Sequence, residues 1–150
     1  MAGFIFAYNI SGGRPLIYEF TMKDTETLTV GDLLNLESNE VDLAATNDAA
    51  MLGPLQGAAD PDDNVTGKPG SISGTDSTTK VRAIVNADAV LSDDSDANAR
   101  LVGDPLDVGG ATGAQGVAAN SNTDFFILKD SAASENTLVK IANGEHWLNQ

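Results

Sequence analysis

The chain has 150 residues, with 22 acidic and 8 basic side chains, a formal net charge of −14 and no cysteine. This charge repels phosphate backbones and anionic membrane surfaces, so we expect neither nucleic-acid nor membrane binding. The lack of cysteine excludes disulfides, thiolate metal sites and cysteine nucleophiles. The length is that of one domain that can bury its own core.

The first 22 residues are predicted to be extended. Their apolar residues cluster near the start: Phe4, Ile5, Phe6 and Tyr8. Residues 11–15 interrupt this cluster with glycine and proline, and strand-favouring residues resume at 16–22. Two interpretations are open for the segment. It forms two ordinary strands of the core, or residues 1–22 are an extended N-terminal arm that packs on a neighbouring molecule.

The β domain, residues 23–150, contains a motif that occurs twice. Residues 30–35 and 102–107 both read V-G-D-x-L-[ND], and each copy is followed by a polar turn and short apolar runs. Gly-Asp before a strand is typical of a turn that sets strand register, with glycine at positive φ. The repetition predicts two related β units. Whether they pack as one barrel or as two lobes stays open.

Residues 56–79, between the two units, are rich in Gly, Pro, Ser, Thr and Asp and have almost nothing to bury. This composition predicts a long exposed loop. Elsewhere, short apolar runs alternate with turn signals, and Asn143-Gly144 predicts a tight turn before a last strand at 145–148. No apolar helical period persists for three turns. The fold class is therefore all-β, a small β-barrel or β-sandwich.

Two polar features suggest chemistry without completing a site. From Asp94, the pattern D-x-D-x-N matches the first ligands of a calcium loop, but Ala99 takes the place of its glycine and Pro105 that of its glutamate. This stretch is either a cation site of another geometry or a solvated turn. His146 is the only histidine, and no nucleophile elbow accompanies it, so we expect a structural role. We predict no enzyme activity, metal or cofactor.

Several segments resemble the head-decoration, or cement, proteins of tailed bacteriophages: residues 28–36, 41–49, 52–53, 81–85, 100–106 and 144–148. The likeness covers most of residues 28–148. The resemblance implies a β-barrel or β-sandwich module, made in the host cytoplasm and located on the outer capsid surface of the virion. Such proteins usually form homotrimers, bind the major capsid protein and stabilise the expanded shell. The family often binds through an N-terminal arm.

The N-terminus of this chain fits such an arm, because residues 1–30 are nearly neutral while residues 31–67 carry eight acidic and no basic residues. We predict capsid or subunit contacts at Phe4, Ile5, Phe6, Tyr8, Ile10, Tyr18 and Trp147. For Trp147 two interpretations are open, a core residue or an interface anchor. The 56–79 loop departs from a minimal decoration module. The alternative function is a carbohydrate- or receptor-binding β module of a phage fibre.

Overall fold

The computed structural model describes residues 3–60, 70–74, 78–119 and 122–149. Within these ranges the chain forms thirteen strands and a 3₁₀ turn, Trp147–Asn149. The fold is all-β, as predicted. In chain order, β1 to β13 are Phe4–Asn9, Ile17–Met22, Thr27–Thr29, Leu33–Glu37, Glu40–Leu43, Met51–Ala58, Ser71–Ser73, Lys80–Ile84, Ala89–Asp93, Leu106–Gly109, Gly116–Ala119, Phe125–Ile127 and Thr137–Ile141.

The strands form a closed barrel, an open sheet and a small ribbon. The barrel has the order β2-β5-β4-β6-β8, the six-stranded sheet has the order β1-β9-β13-β12-β10-β11, and β3 pairs with β7. Neighbouring strands are antiparallel except β2 and β5, whose parallel pairing closes the barrel. Only Thr21 and Met22 of β2 take part in that pairing, so the first part of β2 has a single neighbour, β8.

The two β units predicted from the repeated motif share one topology. The barrel strands lie in the order β5-β4-β6-β8-β2, and the second unit has the order β11-β10-β12-β13-β9. In both, the strand that follows the motif is flanked by the next two strands of its unit. The units differ in closure, because β9 pairs with β1 where its counterpart β2 pairs with β5.

Each copy of the motif forms the same turn. The glycine lies at φ 97° in the first copy and 100° in the second, a conformation typical of the third position of a type II turn. Asp32 accepts a hydrogen bond from the backbone N–H of Thr29 at 2.8 Å and donates its own N–H to the Thr29 carbonyl. Asp104 makes the same two bonds with Leu101, the first at 2.9 Å. The local sequence therefore determines this turn in both places.

Packing makes the two aspartates unequal. Asp32 is fully buried, and its carboxylate also accepts hydrogen bonds from the Thr112 hydroxyl at 2.6 Å and the Gly113 N–H at 2.9 Å. These donors belong to the loop between β10 and β11, in the second unit. Asp104 is exposed and its carboxylate accepts only the Leu101 N–H among the described residues. Asp32 thus connects the barrel to the second unit.

Buried polar contacts reinforce this junction. The fully buried Gln115 accepts a hydrogen bond from the Leu33 N–H at 2.6 Å and donates to the Ala44 carbonyl at 2.8 Å. Asp124, also of the second unit, accepts the Asn47 N–H at 3.3 Å. Burial raises the pKa of Asp124 above its usual value, although its hydrogen bonds oppose that shift. Each unit therefore satisfies polar groups of the other.

Two hydrophobic cores lie on opposite faces of the barrel wall. Consecutive residues of one strand face different cores: Leu34 points into the barrel, whereas Leu33 packs against the six-stranded sheet. In the same way, Leu52 points into the barrel and Met51 packs against the six-stranded sheet. All four side chains are fully buried. Both faces of these strands are covered, which explains why each contains two consecutive buried apolar residues.

The N-terminal segment contributes one strand to each sheet. β1 pairs with β9, and the Phe4 N–H also bonds the Gly31 carbonyl at 2.8 Å. β2 is a barrel strand that pairs with β8 from Ile17 to Thr21. These contacts agree with the first interpretation of residues 1–22, in which the segment forms two strands of the domain. The role of the segment as an arm on a neighbouring molecule stays a prediction.

Two other expectations need correction. Residues 61–69 and 75–77 of the predicted 56–79 loop lie outside the described residues, but Ser71–Ser73 is strand β7 and Ile72 is fully buried in the barrel core. The segment is therefore not one continuous exposed loop. The predicted last strand at 145–148 is a single bridge between His146 and Met51, followed by the 3₁₀ turn, because neither Asn143 nor Gly144 takes the positive φ of a hairpin turn.

We expect Asp32→Ala to lower the free energy of unfolding by about 3 kcal/mol, because it leaves several donors without their acceptor at a buried site. Asp104→Ala, the matched change in the exposed turn, is expected to cost about 1 kcal/mol or less. Urea denaturation of both variants measures the difference. Equal losses would show that the contacts of Asp32 to residues 112 and 113 contribute nothing.

Candidate docking surface

Four of the seven predicted contact residues have exposed side chains. Ile5 is 47% exposed, Tyr8 48%, Ile10 58% and Tyr18 46%. Ile5 and Tyr8 lie on β1, Ile10 follows it, and Tyr18 lies near the beginning of β2. The structure therefore places three of these side chains on two strands that are adjacent in sequence and belong to different sheets, and the fourth, Ile10, directly after the first strand.

Of the other three predicted contact residues, Phe4 is buried, whereas Phe6 and Trp147 are partly buried. Phe4 is only 2% exposed, and its ring centroid lies 5.3 Å from that of Phe125. Phe6 is partly buried against the same core. Trp147 packs edge-on against Phe20, with centroids 5.8 Å apart, beside the barrel core. Alternation along β1 directs the Phe4 side chain inward, and its predicted contact role stays a prediction.

Leu16 and Ile17 were missed by the sequence analysis. They are 44% and 45% exposed. Their position directly after Pro15, at the beginning of a strand, is the only sequence signal for this exposure. We call the six exposed side chains of this segment the N-terminal apolar surface: Ile5, Tyr8, Ile10, Leu16, Ile17 and Tyr18.

The loop between β1 and β2 is held against the segment that joins the two β units. The Ile10 N–H bonds the Asp88 carbonyl at 3.0 Å, and the Ser11 N–H bonds the Asp88 carboxylate at 2.8 Å. Hydrogen bonds from Ser11 hold the pKa of Asp88 below its usual value. The Val85 N–H bonds the Leu16 carbonyl at 2.9 Å. These bonds fix Ile10 and Leu16 on the body of the domain.

A cleft of about 380 Å³ lies beside β1, where the strand meets the barrel. Its walls are the beginning of β1, the Val30-Gly31 turn and the ends of β6 and β8. None of its lining residues is charged: Gly3, Phe4, Ile5, Phe6, Pro15, Val30, Gly31, Leu55, Gln56 and Ile84. Ile5 thus belongs both to this cleft and to the N-terminal apolar surface.

The acidic stretch 93–98, which begins at the last residue of β9, is not a solvated turn at two of its positions, because Asp93 and Asp96 are buried. Asp93 accepts the Val117 N–H at 2.7 Å and so links β9 to β11. Burial raises the pKa of Asp96, but hydrogen bonds from Arg100, Asn98 and Thr137 outweigh it and hold that pKa below its usual value. Within the described ranges no group of three or more His, Cys, Asp or Glu residues is placed to bind a metal.

His146 is buried with only one ring nitrogen paired. It is 1% exposed, and its Nδ1 accepts the Leu148 N–H at 3.1 Å. Nε2 has no hydrogen-bond partner among the described residues. Burial, and to a lesser degree the charge of Lys140, lowers the pKa of His146 from 6.5 to about 4. The ring is therefore neutral near pH 7 and serves to bind the C-terminal turn.

No protein-family model and no curated protein sequence matches the chain. In the described part of the chain, no helix combines the length and the hydrophobicity needed to cross a membrane.

The shift of His146 predicts a loss of stability in acid. Because its pKa in the folded protein lies below the value of 6.5, the unfolded chain binds the proton more tightly. The stabilisation is complete above pH 6.5 and is lost as the pH falls towards 4, by about 2 to 3 kcal/mol in total. Urea denaturation at several pH values measures it.

The matched variant is His146→Asn, whose side-chain oxygen can replace Nδ1 as an acceptor but does not titrate. Its unfolding free energy should fall less between pH 6.5 and 4 than that of the unchanged protein, since the carboxylates titrate in both. Parallel pH curves would show that His146 does not contribute.

Proposed function

We propose that the chain is a structural protein without catalytic activity that decorates and stabilises the outer surface of a phage capsid. It binds the major capsid protein through the N-terminal apolar surface. The observation that carries this proposal is the concentration of six half-exposed aliphatic and aromatic side chains on residues 5–18. The resemblance to decoration proteins in residues 28–148 supplies the identity of the partner.

The distribution of charge supports the same orientation. Residues 1–30 have a net charge close to zero, whereas the whole chain has −14. A partner that approaches the N-terminal apolar surface meets the least electrostatic repulsion. The acidic remainder is suited to face solvent, because like charge keeps neighbouring decoration proteins soluble and apart.

The energetics favour a multivalent form. Covering the exposed half of one such side chain contributes about 1 kcal/mol, so six contribute about 6 kcal/mol. Association also costs free energy of a similar size, because the two proteins lose translational and rotational freedom. A single copy therefore binds a shell weakly, whereas linked copies gain effective concentration. We propose a homotrimer for this reason, in line with the family resemblance.

The binding test uses expanded, undecorated shells of the phage that encodes the chain, with co-sedimentation as the readout. The triple variant Tyr8→Ser, Ile10→Ser and Tyr18→Ser removes three exposed side chains from the N-terminal apolar surface. We expect it to weaken shell binding at least tenfold, because apolar area is no longer covered.

The matched control is the triple variant Leu101→Ser, Val102→Ser and Leu148→Ser, whose side chains are 58%, 60% and 50% exposed elsewhere on the chain. It should bind shells like the unchanged protein. Equal loss in both triple variants would contradict the proposed surface.

If the unchanged protein does not bind shells but binds to a glycan array, the fibre-module function replaces this proposal. Light scattering of the free protein tests the homotrimer.

A further inference from the structure

We propose that the cleft beside β1 receives an extended, uncharged apolar segment of another protein, which adds as a strand to the free edge of β1. The proposal concerns the N-terminal region, and it rests on the proposed function only for the identity of the protein that donates the segment. The chemistry of the cleft determines the class of its occupant.

The open edge of β1 forms one wall of the cleft. β1 is the last strand of the six-stranded sheet and pairs with β9 on one side only. On its other side, the Phe4 N–H bonds Gly31 and the Asn9 carbonyl accepts the Gly12 N–H. Between these two bonds, the edge at residues 5–8 has no further backbone partner in the described ranges. The register of β1 shifts between Phe6 and Tyr8, so the regular part of this edge, where a strand can add, ends at Phe6. Such an edge is a template for an added strand.

The other walls select an apolar segment. Phe6, Val30 and Leu55 line the cleft, and no charged residue does. A charged group would have to leave water without a counter-charge, which is costly. The volume of about 380 Å³ corresponds to on the order of a dozen water molecules. Apolar side chains that replace this water gain hydrophobic free energy.

The combination of walls distinguishes a peptide from other apolar ligands. A lipid chain or a small hydrophobic molecule can fill the volume, but it cannot bond the free N–H and C=O groups of β1. An extended peptide does both. The occupant we infer is therefore an uncharged extended segment of a different protein. A second copy of this chain as the donor would instead shift the same amide signals as the protein concentration rises, without added peptide.

The experiment uses the full chain, labelled with nitrogen-15, and a capped heptapeptide of alternating threonine and valine as the probe. We expect saturable shifts of the amide signals of residues 4–8, 55 and 56, and slower hydrogen exchange of the Phe6 amide. The control peptide has the same sequence with N-methylated valines, which keep their side chains and cannot donate. It should bind at least tenfold more weakly.

Two variants locate the site. Ile5→Glu places a charge on β1 at a side chain that is 47% exposed, and Gln56→Glu places one on the opposite wall without changing β1. Each should weaken peptide binding at least tenfold, whereas Leu101→Glu, at an exposed residue outside the cleft, should not. Thermal melting confirms that the variants fold.

Three results would overturn the inference: no saturable shift with millimolar peptide, saturable shifts confined to residues outside the cleft, or equal affinity for the N-methylated peptide. The last would indicate an apolar pocket without strand addition. None of them affects shell binding, which is measured separately with shells and the triple variants. Loss of shell binding with intact peptide binding would leave the inference standing and remove the proposed function.

Discussion

The rest of the structure depends on the hydrogen bonds that the carboxylate of Asp32 accepts. This carboxylate is fully buried and accepts hydrogen bonds from its own turn and from the loop between β10 and β11. The same turn bonds β1 through Gly31 and β6 through Leu55. A buried carboxylate requires such partners, because leaving it without them costs several kcal/mol. The barrel, the second unit and the N-terminal strand are therefore joined at one turn.

The second unit contains the same Val-Gly-Asp turn in a different tertiary environment. Its Val-Gly-Asp turn has the same geometry, but Asp104 is exposed, and among the described residues its carboxylate accepts a hydrogen bond only within the turn. Its sheet also stays open, since β9 pairs with β1 and contacts β11 through the Asp93 side chain. The open form of the second unit is what leaves room for β1, and β1 in turn brings an uncovered strand edge beside the barrel.

This arrangement explains how apolar residues come to the surface of a very acidic protein. β1 belongs to one sheet and β2 to the other, so the N-terminal segment crosses from the second unit to the barrel. β1 pairs only with β9, and the first part of β2 pairs only with β8. No second neighbouring strand helps to cover the side chains of these segments. The N-terminal apolar surface and the cleft both result from this crossing.

The sequence by itself determined the features that depend on near neighbours. Glycine and aspartate spacing predicted the two equal turns, alternation and turn signals predicted an all-β chain, and the repeated motif predicted two related units. Only the tertiary structure decided features that depend on distant residues. Phe4 is core and Ile5 is surface because β1 pairs with β9, which lies more than eighty residues further along the chain. Asp32 is buried and Asp104 is exposed because the loop between β10 and β11 covers Asp32 alone. The local sequence of two identical turns cannot predict which of them a distant loop will contact.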